Sequence, residues 1–241
     1  MQTIALWLYS LALWLAQPLL KRKLRRRAVN EPGYAMAVPE RFGRYAQPVA
    51  EQGGPLVWIH AVSLGETRAA AILLKELRIE LPGMRLLLTH GTATGRAEGE
   101  KLLQPGDLQV WQPWDTRGAV RRFLRQFRPA IGILMETEIW PNLVAGCRRE
   151  RVPLVLANAR LNEKSRAGAQ RLTWLSRPAY AALSAVWAQT EEDAARLRSV
   201  GAPVTGVFGN LKFDVEPSAT QLAQGRGWRQ GSKRAARRPE H

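Results

Sequence analysis

The chain is short of cysteine, histidine and acid. Among its 241 residues there is one cysteine, Cys147, and there are three histidines. A lone cysteine has no partner within the chain, which excludes a disulfide scaffold and a cysteine-built zinc site. Three histidines leave little for any other metal cluster. Acidic residues number 20 against 36 basic ones, a net charge of +16. At 46% apolar and 23% charged residues, wholesale disorder is excluded. The length allows one large domain or two small ones with a full core.

The surplus of positive charge sits at the two ends. KRKLRRR at 21–27 carries +6 and the tail at 225–241 carries +5, which leaves +5 for everything between. A nucleic-acid binder spreads its basic groups over one face of a folded domain, so this distribution speaks against nucleic acid as a partner. Residues 1–20 hold no charged side chain. As a helix, 3–20 would reach about 27 Å, just short of a hydrocarbon core. The basic cluster follows at once, the order that places it on the cytoplasmic side of a membrane. A secretory signal carries its charge before the apolar run instead, and a buried core helix would not run straight into a cluster of cations. The expectation is a membrane anchor with its basic patch over 1–27, spanning the bilayer or lying in its interface.

From residue 55 onward short apolar runs alternate with helical patterns. The runs lie at 56–60, 85–90, 108–111, 130–135, 153–158, 185–189 and 203–208. Helical patterns at 67–80, 94–103, 116–127, 140–151, 163–183 and 191–200 separate most of them. This alternation predicts a parallel sheet covered on both faces. The fold class is α/β, a single Rossmann-like doubly wound lobe expected over 28–224 behind the anchor helix. The Arg- and Gly-rich tail at 225–241 is expected to be disordered. Ligands of such sheets sit at the carboxyl ends of the strands, so the loops that follow the strands carry the functional candidates.

In the first of these loops, Ser63 and Gly65 are turn formers and Glu66 stands at the start of a helix. Glu66 is either a first-turn acid favoured by the helix dipole or a general base at the sheet mouth. Thr92 and its glycine neighbours form either a capped turn or a backbone phosphate cradle. Past the fourth strand, Glu136 and Glu138 stand two residues apart, and strand alternation would point one inward and one away. Arg160 and Lys212, at later strand ends, are either anion contacts or surface charges. Asn210 shares the last of these loops.

Taken together the segments resemble the 3-deoxy-D-manno-octulosonic acid (Kdo) transferases of lipopolysaccharide synthesis. The matching blocks are HAVSLGET at 60–67, METEIWPNL at 135–143, ANARLNEKS at 157–165, AQTEEDAARL at 188–197 and GNLKFD at 209–214. PERFGRY at 39–45 and the apolar N-terminus fit as well. The resemblance implies the N-terminal half of a two-lobed GT-B glycosyltransferase at the cytoplasmic face of the inner membrane. It implies CMP-Kdo as donor substrate, a lipid A precursor as acceptor, and neither metal nor other cofactor. Glu66 is then the general base, with Glu136 and Lys212 placed to stabilise the transition state. Substrate contacts fall to Ser63, Gly65, Thr92, Arg160 and Asn210.

That family has a second Rossmann-like lobe for the CMP-sugar, whereas the resemblance here fades near 228–230, where the composition shifts. The expectation is a truncated product with a frameshifted tail, inactive in transfer by itself. The alternative is an anchored half module that binds the acceptor lipid without catalysis.

Overall fold

A computed structural model of the protein describes residues 2–47 and 53–213. The tail at 225–241, expected to be disordered or out of frame, lies outside the described residues, as do 214–224.

Seven strands form one sheet: β1 (Leu56–His60), β2 (Arg85–His90), β3 (Leu108–Trp111), β4 (Ile131–Met135), β5 (Leu154–Ala159), β6 (Ala185–Ala188) and β7 (Val204–Val207). Every pairing is parallel, in the order β3-β2-β1-β4-β5-β6-β7. The chain runs outward from β1 to β3, then returns to lay β4 on the other side of β1. That reversal opens a crevice beyond the ends of β1 and β4, the place where doubly wound sheets hold ligands. The helices are α1 (Gln2–Asn30), α2 (Leu64–Glu80), α3 (Ala93–Glu100), α4 (Arg117–Phe127), α5 (Pro141–Arg149), α6 (Glu163–Arg171), α7 (Thr173–Ala181) and α8 (Glu191–Ser199).

Because successive strand residues point to opposite faces, β1 feeds two cores. Leu56 and Trp58 pack with Phe123 and Phe127 of α4, while Val57 and Ile59 pack with Ala69, Ala70 and Leu74 of α2. Both faces being covered, the strands read as continuous apolar runs. Of the expected boundaries that move, two have a plain physical cause. α2 starts at Leu64 rather than 67, because the Ser63 side chain accepts the Glu66 N–H and caps the helix there. The helix expected over 163–183 is interrupted at Leu172. The Thr173 and Ser176 hydroxyls donate to the carbonyls of Gln170 and Ala169, occupying acceptors that a continuous helix would use for N–H groups.

α1 lies along the lobe. Ala5 and Leu24 are buried, and the Ser10 hydroxyl donates to Asn142 at 3.0 Å. Its basic stretch is helical too, with Lys21 over the Phe42 ring and Arg27 over the Tyr34 ring. The outer face exposes Ile4, Trp7, Leu8, Leu11, Leu15 and Leu19, a stripe at helical spacing. Ile4–Asn30 is long and apolar enough to cross a membrane by length and composition.

A one-turn 3-10 segment, Val38–Phe42, carries PERF under α1 and onto α4. It stops at Gly43, whose φ of +72° is a glycine conformation. A Cβ there would also run into the Ala119 backbone carbonyl of α4. Gly43→Ala is expected to cost about 2–4 kcal/mol, from backbone strain and overpacking together. Chemical denaturation checks this, and a loss below about 1 kcal/mol would show the contact to be pliable.

Candidate functional site

The loop from β1 to α2 is closed by Glu66 itself. Its carboxylate accepts the Val62 N–H and the Ser63 hydroxyl, each at 2.9 Å. Ser63 in return accepts the Glu66 N–H at 3.3 Å. This reciprocal arrangement is a close variant of a capping box, with the acid reaching one residue further back. Burial pushes the Glu66 carboxyl up, the Val62 and Ser63 hydrogen bonds pull it down, nearby Glu136 raises it and Lys212 lowers it. Glu66 is thus both a helix cap and an acid fixed at the sheet mouth. The cap settles the aim of the carboxylate, so the two readings of its sequence position are compatible.

Glu136 follows β4 directly and is buried, at 2% exposure. Its φ of +60° is left-handed, a strain of about 1–3 kcal/mol for a side chain other than glycine. Neighbours hold it there. Its N–H donates to Ala157, its carbonyl accepts the Arg160 N–H, and its carboxylate takes two cations. The Arg160 guanidinium reaches Oε2 at 2.7 Å and the Lys212 ammonium reaches Oε1 at 2.7 Å. Both cations are about half exposed, so each keeps N–H groups free for a further anion. Arg160 and Lys212 are therefore not isolated surface charges but partners of one buried acid.

The other candidates divide. Gly65 abuts the end of Lys212, whose ammonium would lie 3.8 Å from a Cβ at that position. Thr92 is the N-cap of α3, accepting the Gly95 N–H and donating to the Val62 carbonyl at 2.8 Å, which makes it a capped turn. The Asn210 side chain accepts the Lys212 N–H at 3.0 Å and shapes the turn that presents Lys212. The structure thus brings Glu66, Glu136, Arg160 and Lys212 to one mouth, with Ser63, Gly65 and Asn210 as their supports.

Strand alternation does not separate Glu136 from Glu138. β4 ends at Met135 and the left-handed Glu136 turns the chain, so Glu138 also faces the mouth. Burial pushes the Glu138 carboxyl to about 7, and the charges of Glu66 and Glu136 push the same way against a hydrogen bond from the Trp140 indole. A carboxyl raised in the folded state binds more protons there than when unfolded, so the stability it contributes falls as the pH rises toward 7. Carbon-13 NMR of labelled glutamate is expected to find a Glu138 midpoint near 7. Glu66→Gln, by removing a like charge, should move it downward. An unmoved midpoint would break the electrostatic link between the two acids.

Beside this mouth lies a cavity of about 390 Å³ between α1 and the ends of β1 to β4, lined in part by Val62, Thr92 and Glu138. Its floor includes Arg41 and Gln112, which strand-end reasoning missed; the PERFGRY segment was the one signal for Arg41. Among the described residues no cluster of three or more His, Cys, Asp or Glu side chains is arranged to hold a metal ion.

Fold and site define a doubly wound α/β lobe with a fixed acid and paired cations at its switch point. A family model described as 3-Deoxy-D-manno-octulosonic-acid transferase (kdotransferase) matches residues 36–215. A 3-deoxy-D-manno-octulosonic acid transferase of Bordetella pertussis is 47% identical over 227 residues, covering 91% of this chain and 52% of that protein. One of Haemophilus influenzae is 29% identical over 211 residues, covering 86% and 49%. Among solved structures, the S. aureus MnaA-UDP co-structure covers 68% of this chain and 49% of that one, with a TM-score of 0.46 and 16% identity. The chain belongs to the 3-deoxy-D-manno-octulosonic acid (Kdo) transferase family. It spans about half the length of the two curated relatives.

Proposed function

We propose that this chain forms the acceptor-side lobe of a glycosyltransferase that moves Kdo from CMP-Kdo to a hydroxyl of a lipid A precursor. The observation that carries the reading is Glu66, fixed at the switch point of a Kdo transferase family chain with its carboxyl raised by burial. In this reading the Glu66 carboxylate takes the proton of the acceptor hydroxyl as its oxygen attacks the sugar and CMP leaves. Arg160 and Lys212, oriented by Glu136, face the negative charge of the donor and of the departing phosphate.

Membrane attachment through α1 belongs to the same proposal. The exposed apolar stripe and the basic stretch that follows it suit an inner membrane at its cytoplasmic face, where the acceptor lipid lies. The test is transfer of labelled Kdo from CMP-Kdo to a lipid A precursor by residues 1–213 joined to the remainder of the B. pertussis relative. Turnover that depends on Glu66 supports the proposal, and turnover indifferent to it removes Glu66 from the chemistry.

A further inference from the structure

Behind the carboxylate at the sheet mouth stands a buried histidine that the proposed reaction does not use. His90 ends β2 and is fully buried. Its ring lies against α3, where Gly99 makes room for it, since a Cβ there would run into Nε2. The hydrogen-bond partners fix its tautomer. The Gln109 amide nitrogen donates to the Arg96 carbonyl at 2.8 Å, and the same nitrogen lies 3.1 Å from His90 Nε2. Nε2 must therefore accept, and the one proton of a neutral ring sits on Nδ1. Nδ1 lies 2.9 Å from the Ala61 carbonyl and donates to it. Burial lowers the His90 pKa to about 3, and His60 and Arg96 push the same way against the Ala61 hydrogen bond, so the ring is neutral at neutral pH.

Ala61 and Val62 share one peptide group. Its carbonyl takes the His90 proton, and its N–H is the one that Glu66 Oε2 accepts at 2.9 Å. A peptide group is planar, so a donor fixed on one side sets the direction of the N–H on the other. Hydrogen bonds in a row also polarise one another, which makes the Val62 N–H a stronger donor to the carboxylate. The flanks of this peptide are pinned as well. The Ala61 N–H donates to the Thr89 carbonyl at 3.0 Å, and the Val62 carbonyl accepts the Thr92 hydroxyl at 2.8 Å. His90 Nδ1 also lies 3.4 Å from the Thr67 hydroxyl, which donates to the Ser63 carbonyl at 2.9 Å. Ser63 is the residue that holds Oε1 of Glu66. Both groups that hold the Glu66 carboxylate thus rest on one imidazole.

We propose that His90 is a positioning residue: its Nδ1–H holds the Ala61–Val62 peptide plane, and that plane aims the Glu66 carboxylate. The charged groups facing Glu66 are Glu136 and Lys212, with Glu138 beside them. Those facing His90 are His60 and Arg96. A neutral His90 adds no charge to either set, so it acts on Glu66 through the direction and strength of one hydrogen bond. The inference deepens the transferase reading and rests on it for the reaction that Glu66 serves, but not for how Glu66 is held.

The test is NMR of the full 241-residue chain in detergent micelles, labelled with nitrogen-15 histidine and carbon-13 glutamate. In the parent, His90 should show a protonated Nδ1 and a bare Nε2 at neutral pH, and the opposite tautomer would overturn the proposal. His90→Leu removes the donor without removing a charge. It is expected to raise the Glu66 midpoint, an about threefold change in the ionisation constant, because the carboxylate loses part of its Val62 hydrogen bond. His90→Asn sets an amide N–H where Nδ1–H stood and should restore the parent midpoint. A folded His90→Leu chain that melts earlier with its Glu66 midpoint unmoved would make His90 structural only, which overturns the proposal. If His90→Leu does not fold, His90→Gln takes its place. That amide reaches the Nε2 position, pairs with Gln109 and leaves Ala61 without its donor, so the midpoint should rise as for leucine, and an unmoved one overturns the proposal. None of these readouts involves transfer. Their failure therefore removes the His90 assignment alone, whereas the expected midpoints with transfer indifferent to Glu66 remove the catalytic reading of Glu66 alone.

Discussion

On the proposed transferase reading, Glu66→Gln in residues 1–213 joined to the remainder of the B. pertussis relative is expected to lower the transfer rate about a thousandfold and to leave the fold standing, within the range that loss of a general base produces. Glutamine keeps a carbonyl oxygen for the Val62 N–H or the Ser63 hydroxyl, so most of the cap on α2 survives. What it cannot do is take a proton. The decisive measurement is kcat/KM against pH for both proteins, beside a thermal melt. In the parent, activity should rise with pH as the Glu66 carboxyl ionises. Its midpoint should lie above the ordinary glutamate value, because burial opposes the charged form. The variant should lose that limb of the profile. Turnover near the parent level would assign proton removal to another group, with Glu138 the neighbour to examine next.

Trp58→Ala is expected to destabilise the lobe by about 3–5 kcal/mol, a large share of the total that a single domain commands. The indole is fully buried between the sheet and α4, edge-on to Phe123 with ring centroids 5.0 Å apart. Gly132 on the neighbouring strand makes room for it, since a Cβ there would lie 2.6 Å from the ring. The indole N–H donates to the Thr89 hydroxyl at 2.8 Å, and Thr89 also holds the buried ring of His60. Truncation removes the packing and loosens two strand ends that border the site. The urea midpoint should fall with little change in slope, and a loss below about 1.5 kcal/mol would mean that the core collapses around the gap.

The seven strands were legible because both faces of the sheet are covered. Runs such as LVWIH and RLLLTH need no partner to be read as buried strands, and turn residues bound them. Glu66 at the start of a helix was legible as well, although the Ser63 cap puts that start three residues before the apolar pattern does. Reading failed where one residue departed from its element's geometry. At Glu136 a single left-handed φ overrides the strand period, and it brings Glu136 and Glu138 to the same mouth. Between α6 and α7, hydroxyls compete for helix carbonyls and break a periodic pattern.

By itself the sequence determined the class of sheet, the loops past the strand ends where the candidate residues lie, the apolar helix with its basic end, and the acid on the first turn of α2. These follow from periodicity and capping, which act over a few residues. Only the tertiary structure decided which charges belong together. Arg160 and Lys212 lie 24 and 76 residues from Glu136, and they meet it because β4 and β5 are neighbours and the segment after β7 folds back over them. Only the tertiary structure, too, left buried Arg41 without a carboxylate within ion-pair distance among the described residues. Its partner acid by sequence, Glu40, points toward Trp111 and Arg96, and no local pattern encodes which way two adjacent buried side chains turn.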